Sequence, residues 1–150
     1  MKREIKFRAW TGNKMEYDIV VGRFGAFYVN PEAKGDGLDP KDTASPTLNT
    51  TRYFDDMPVM EFTGLLDKNG KEIFEGDILR TLHYKTESEV SYLFHKVVYD
   101  NERATFNAIS LLNKDNLLTT NGNCFLYVAL KDETCEVIGN IFENPELLKS

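Results

Sequence analysis

The chain has 150 residues, 41% hydrophobic, 28% charged and 12% aromatic, with a formal net charge of −6. A chain this long buries roughly two-thirds of its unfolded surface, so its core needs neither disulfides nor metal, and its acidic balance argues against strong non-specific binding to nucleic acid. Cys124 and Cys135 lack Cys-x-x-Cys spacing, Met1 to Lys6 lack the apolar run of a signal peptide, and no apolar stretch nears the ~20 residues of a membrane helix, so a reduced, cytoplasmic setting without a membrane partner is expected.

Period-two patterning opens the chain. Ile5, Phe7 and Ala9 alternate with Lys6, Arg8 and Trp10, the mark of a half-buried strand. Thr11 to Lys14 reads as a turn and Met15 to Val21 as a second strand, which predicts an N-terminal hairpin; Phe24 to Val29 is a third apolar run. Between Asn30 and Thr51 the character changes. Pro31, Gly35, Gly37, Pro40 and Pro46 stand among Asp, Lys, Ser and Thr with few large apolar residues, so a long exposed loop, unable to offset its ordering entropy by burial, is expected there.

Strands resume at Val59–Thr63. Asp67-Lys68-Asn69-Gly70 is a turn by chemistry, because Asp and Asn bond their own backbone and Gly accepts a positive φ. Further strands are expected at Ile78–Leu82, Val90–Tyr99, Ala104–Leu111, Cys124–Leu130 and Glu136–Ile141, with Asp100 to Arg103 as a connecting turn. Lys114–Thr120 is a candidate short helix. Asn144 as N-cap, Pro145 at the first helical position and Glu146 at the positive end of the dipole predict a final helix of about one turn. Short strands separated by turns make a mainly-β barrel or sandwich the expected fold class.

Candidate sites each have a structural alternative. Gly64, Gly70 and Gly76 suit turns and bulges, and Asp77 suits a side chain that accepts turn amides at the entry to a strand. The functional alternative pairs Glu75 with Asp77 as an acidic site, since residues two apart share a strand face. The Asp67 run shares the opening of a calcium loop, yet its Gly falls at the fourth position and further oxygen ligands are missing, so a hairpin turn is the reading. His83 and His95 lie on separate strands without a third ligand in reach, and Cys124 and Cys135 read as buried thiols. No metal or other cofactor is expected.

The sharpest functional hint is electrostatic. Lys2, Arg3, Lys6, Arg8 and Lys14 against Glu4 give the first fifteen residues a charge of +4 in an acidic protein. Lys6, Arg8 and Trp10 would share one face, a combination that serves phosphate contact and base stacking, or equally a solvated strand face. No Gly-x-Ser-x-Gly elbow or phosphate-binding glycine loop is present to suggest nucleophilic or nucleotide chemistry.

Three segments carry a likeness. Phe62-Thr63-Gly64-Leu65-Leu66-Asp67-Lys68-Asn69-Gly70-Lys71-Glu72-Ile73-Phe74-Glu75-Gly76-Asp77-Ile78-Leu79 resembles the central signature of YopX-like proteins from phages and prophages. Glu136-Val137-Ile138-Gly139-Asn140-Ile141-Phe142-Glu143-Asn144-Pro145-Glu146-Leu147-Leu148 resembles their C-terminal signature, and Arg3 to Trp10 with Lys14-Met15 is similar to their N-terminus. The resemblance marks Gly64, Gly70, Gly76, Asp77, Gly139, Asn144 and Pro145 as signature positions. It implies a single domain over residues 1–150: N-terminal strands and a long loop over 1–57, then an SH3-like barrel part over 58–150. It supplies no catalytic residues.

The expected function is therefore non-catalytic: an accessory protein in the bacterial host cytoplasm that binds a protein partner or its own copies as a homo-oligomer. An SH3-like barrel offers strand edges for such contacts. The alternative is a nucleic-acid-binding module centred on Lys6, Arg8 and Trp10; an enzyme of unknown type is the third reading.

Overall fold

Aromatic and β-branched residues alternating between short turns favour pleated, half-buried backbone over helix, and the chain is mainly β. The computed structural model describes residues 4–17, 19–22, 25–28, 57–111, 123–125 and 134–149. The long loop expected at Asn30–Thr51 and the helix expected at Lys114–Thr120 lie outside the described residues. The chain divides into two compact units, Lys6–Val59 and Met60–Ser150 with Met1–Ile5.

In the first unit, β1 (Phe7–Trp10) and β2 (Met15–Tyr17) form the expected hairpin, with Ala9 opposite Glu16. Thr11 closes the turn, its N–H donating to Lys14 O at 3.0 Å. Where one strand was expected from Met15 to Val21 there are two; β3 (Ile19–Gly22) pairs instead with β4 (Gly25–Tyr28). Ala9 and Ile19 are buried against Phe7, Met57 and Val59, and Trp10 N–H donates to Pro58 O at 3.0 Å.

The second unit is built on an antiparallel five-stranded sheet. Its strands are β7 (Asp77–Lys85), β8 (Val90–Asp100), β9 (Thr105–Ser110), β10 (Asn123–Phe125) and β11 (Glu136–Asn140), in spatial order β10-β9-β8-β7-β11. β7 connects to β8, and β8 to β9, by short turns, the arrangement antiparallel ladders permit. A hairpin of β5 (Val59–Leu66) and β6 (Glu72–Phe74) precedes the sheet, its register broken between Phe62 and Leu66, where Gly64 sits at φ +83°. Leu79, Val97 and Ala108, on one face of the sheet, pack with Ile73 and Cys135 as the fully buried core, flanked by Leu65, Phe106 and Val137.

The C-terminal helix is present as a 3₁₀ turn, Pro145–Lys149, with Leu147 N–H donating to Asn144 O. Asn144 also acts on the other side of the turn. Its Oδ1 turns back and accepts the Asn140 N–H at 3.3 Å, so the residue ties the turn to the preceding strand. Among the described residues no helix is long and apolar enough to cross a membrane.

Candidate functional site

Asp67 begins the Asp-Lys-Asn-Gly turn and is only 7% exposed. Its Oδ1 accepts the Asn69 and Lys71 N–H groups at 2.8 and 2.9 Å, holding the turn that Gly70 completes at φ +80°. Its Oδ2 reaches seventy residues along the chain to accept the Val137 N–H at 3.0 Å on β11. Lys68 N–H donates to Cys135 O at 2.9 Å beside it. Turn and strand are thus joined as though the turn were a further strand. Burial acts to raise the Asp67 pKa, but the amides of Val137, Lys71 and Asn69 and the charge of Lys71 outweigh it, and the carboxyl titrates below the ordinary aspartate range.

The rest of the central signature meets the rest of the C-terminal one. Gly76, buried at φ +79°, donates its N–H to Val97 O at 2.9 Å and accepts the Ile141 N–H at 3.0 Å. Asp77 is 1% exposed, and its Oδ2 accepts the Phe74 N–H at 2.8 Å, the strand-entry role expected of it. Glu75 lies in the turn before β7, not beside Asp77 on one strand face, so the pair is not laid out as the acidic site required. A Cβ at Gly139 would come within 2.8 Å of Asn144 Cγ and closer still to Oδ1, so this glycine makes room for the Asn144 side chain. Asn140 Oδ1 accepts the Phe142 and Glu143 N–H groups, fixing the bend before Pro145.

Glu136 adds charge to this junction by pairing with both Lys68 and Arg80. Hydrogen bonds from Lys68 and Arg80 hold the Glu136 carboxyl below its usual range against a smaller effect of burial. The Arg80 guanidinium also lies over the Tyr92 ring, 4.8 Å from its centroid. Neither Glu136 nor Arg80 stands out in the sequence as more than a strand charge.

The N-terminal cationic face is laid out differently from its pattern. Lys6 and Trp10 are partly exposed, but Arg8 is 3% exposed, which withdraws its guanidinium from solvent. The alternation misleads because β1 is covered on both faces: Ala9, on the opposite side, is buried too. The two histidines are not brought together. His83 is exposed on β7, its ring edge-on to Tyr84, whereas His95 is buried on β8 with Nε2 3.2 Å from Thr81 Oγ1 and Nδ1 without a partner. Burial pushes the His95 pKa down. Cys135 is a buried thiol, and Cys124 sits in β10. Among the described residues no three His, Cys, Asp or Glu side chains gather where a metal ion could be held.

A last feature carries no sequence motif. β7 and β8 run past their neighbours: β9 pairs with β8 only from His95 to Asp100, and Leu111 N–H donates to Phe94 O at 2.8 Å. Backbone groups on a strand point to the same side every second residue. The N–H and C=O of Tyr92 and Val90 therefore point outward on the same side as the Phe94 carbonyl, and among the described residues no strand meets them. Tyr92 and Val90 are 41% and 44% exposed, and Tyr84 across the hairpin is also exposed. Thr86 closes the hairpin, its N–H donating to Glu89 O at 2.7 Å.

In comparisons with known proteins, no match was found among curated proteins. Among solved structures, the chain is similar to one described as protein EF1440 from Enterococcus faecalis, at 27% identity over 98% of this chain and 99% of that one, with a TM-score of 0.54. Residues 6–149 match the family described as YopX protein, and the chain, whose central and C-terminal signature segments interlock at Asp67 and Gly76, belongs to the YopX family.

Proposed function

We propose that this protein is a non-catalytic binding protein that engages a protein partner by strand addition at the outer edge of β8. The observation that carries this reading is the run Val90–Tyr92, where outward backbone groups and two exposed apolar side chains coincide. A strand edge of this kind supplies affinity through main-chain hydrogen bonds and selectivity through alternate side chains. The signature residues support it from the other direction: Asp67, Gly76, Asp77, Gly139 and Asn144 all have local structural partners or a steric role that explain them without chemistry. The family resemblance adds a phage or prophage setting in the bacterial cytoplasm. Nucleic-acid binding through Lys6, Arg8 and Trp10 is the less favoured reading, because burial of Arg8 removes its central cation.

Tagged wild-type protein and a Val90→Pro variant, captured from the host with and without nuclease, separate these readings. Proline deletes the outward N–H of β8 and leaves the bonds to β7 in place, as edge positions allow. The expected result is a co-purifying protein, either an untagged copy of this chain or another species, that resists nuclease and is lost with Val90→Pro. Equal recovery with both proteins, or loss on nuclease treatment, refutes the proposal.

A further inference from the structure

The side chains at this edge point to a particular occupant. We infer that the strand added to β8 is the same segment of a second copy, paired antiparallel about a two-fold axis through Ser91. This inference rests on the binding reading above and deepens it.

An isologous contact brings a surface patch against itself, so the patch must be self-complementary. Three registers keep the outward groups facing one another. Centring the axis on Val90 sets Glu89 against Ser91 and Glu87 against Leu93, and it leaves Tyr92 opposite Ser88. Centring it on Tyr92 sets Val90 against Phe94, whose carbonyl already accepts Leu111 N–H. Centring it on Ser91 places Val90 opposite Tyr92 of the second copy, and Tyr92 opposite its Val90. Both are then narrow pairs that exchange N–H···O bonds in each direction, and each sets an aromatic ring against a β-branched side chain, a favourable cross-strand combination. In this register the two Glu89 side chains are four residues apart along the strands, roughly 13 Å, beyond a Debye length of ~10 Å at 0.1 M salt.

Two features reduce the cost of association. The Tyr92 ring is already held under the Arg80 guanidinium, which Glu136 holds in turn, so less side-chain freedom is lost. The bulge that absorbs His83 lies on β7, between Leu82 and Tyr84, so the ladder of β8 runs unbroken to its end. The pairing stops at Phe94, so the contact is short. It falls below the ~1,200 Å² of a standard interface and belongs to the weak, concentration-dependent class.

Ser91 meets itself across the axis as a wide pair, Cα atoms about 4.5 Å apart, which gives a charge test. Purified wild-type, Ser91→Lys and Ser91→Glu proteins, with folding checked by circular dichroism, are compared by sedimentation equilibrium between about 10 μM and about 1 mM, the range suited to a small interface. Wild-type protein is expected to pass from monomer to dimer over this range. Each variant alone is expected to dimerise about fivefold or more weakly, because like charges face each other, and an equimolar mixture is expected to recover association by pairing opposite charges. A wild-type protein that stays monomeric throughout overturns the self-pairing while leaving the edge open to another partner. A dimer indifferent to Ser91→Lys overturns it as well, and a dimer that also survives Val90→Pro removes the β8 edge, and the binding reading with it.

Discussion

Asp67→Asn tests how the two signature segments are held together. The substitution keeps the size of the side chain and removes the charge. One amide oxygen can still serve the Asn69 and Lys71 N–H groups, but the new NH₂ group then faces the Val137 N–H, donor against donor, at a separation of 3.0 Å in the wild type. A hydrogen bond to a charged group contributes about 1.5–3 kcal/mol, and a buried donor left unsatisfied costs about 1–3 kcal/mol. The expected loss is about 2–4 kcal/mol of unfolding free energy, a large part of the ~5–15 kcal/mol available to a domain. Urea unfolding reads it as a lower midpoint at unchanged slope. The pH dependence is a second signature. The carboxyl titrates lower in the folded protein than in the unfolded chain, so its contribution is complete above the ordinary aspartate range and disappears as pH falls through the folded value. The difference between wild type and variant should therefore be constant near neutrality and shrink on acidification below about pH 4. A loss under about 0.5 kcal/mol at pH 7, within the range of ordinary surface substitutions, would show that the bond to Val137 does not secure β11.

Three further outcomes follow from local geometry. Gly139→Ala should destabilise by about 1–3 kcal/mol, typical of a forced clash, and Asn144→Ala in the same chain should recover much of that loss, because the blocked space is filled by Asn144 Oδ1 and Cγ; a double-mutant cycle in urea measures the coupling. Ala104 holds φ +49° at the end of the Asp100–Arg103 turn, so Ala104→Gly should stabilise by about 0.5 kcal/mol, the relief of left-handed strain less the entropy of glycine, read as a rise in the urea midpoint. The pair Thr81→Val with His95→Leu should be close to neutral at pH 7, since both partners of one buried bond leave together and the unpartnered Nδ1 leaves with them. Burial lowers the His95 pKa, so wild-type stability should decline as pH falls below the unfolded value near 6.5, where the unfolded chain takes up the proton first; the double variant should lack that decline between pH 7 and 5 in parallel urea titrations.

Strands and turns were legible because their signals are local. The period-two pattern from Val90 to Tyr99 is nearly the whole of β8, and Asp67-Lys68-Asn69-Gly70 folds as its residue chemistry requires, with Gly70 at positive φ. Asp77 likewise accepts an amide three residues back. What the sequence concealed depends on residues far apart in the chain. Nothing near Asp67 announces Val137, and nothing near Asn144 announces that its side chain is drawn back toward Asn140, where Gly139 leaves room for it. Arg8 is buried because β1 is covered on both sides, a circumstance that alternation along one strand cannot encode. The open stretch of β8 escaped for a related reason. Its significance lies in where β9 stops pairing, and the extension of β7 through His83 and Tyr84 carries ordinary strand residues.

The two sides of the five-stranded sheet can be compared on these terms. On β11, the outward N–H of Val137 and the outward carbonyl of Cys135 are both taken by the Asp67-Lys68 turn, and the charges of Lys68 and Glu136 lie over the join. That is how a sheet edge is closed against association: its hydrogen-bonding groups are satisfied within the chain and its surface is charged. At the end of β8 the opposite holds, with valine and tyrosine side chains exposed beside outward backbone groups that no described strand meets. An edge left uncovered by accident would be expected to carry the lysines, prolines or inward charges that blunt such surfaces. Here the charges nearest in sequence, Lys85, Glu87 and Glu89, are grouped at the hairpin tip, and Val90-Ser91-Tyr92 is uncharged and symmetric in polarity about its middle residue. Closure of the β11 edge and, among the described residues, exposure of the end of β8 within a single sheet fits a surface shaped for a strand of matching sequence.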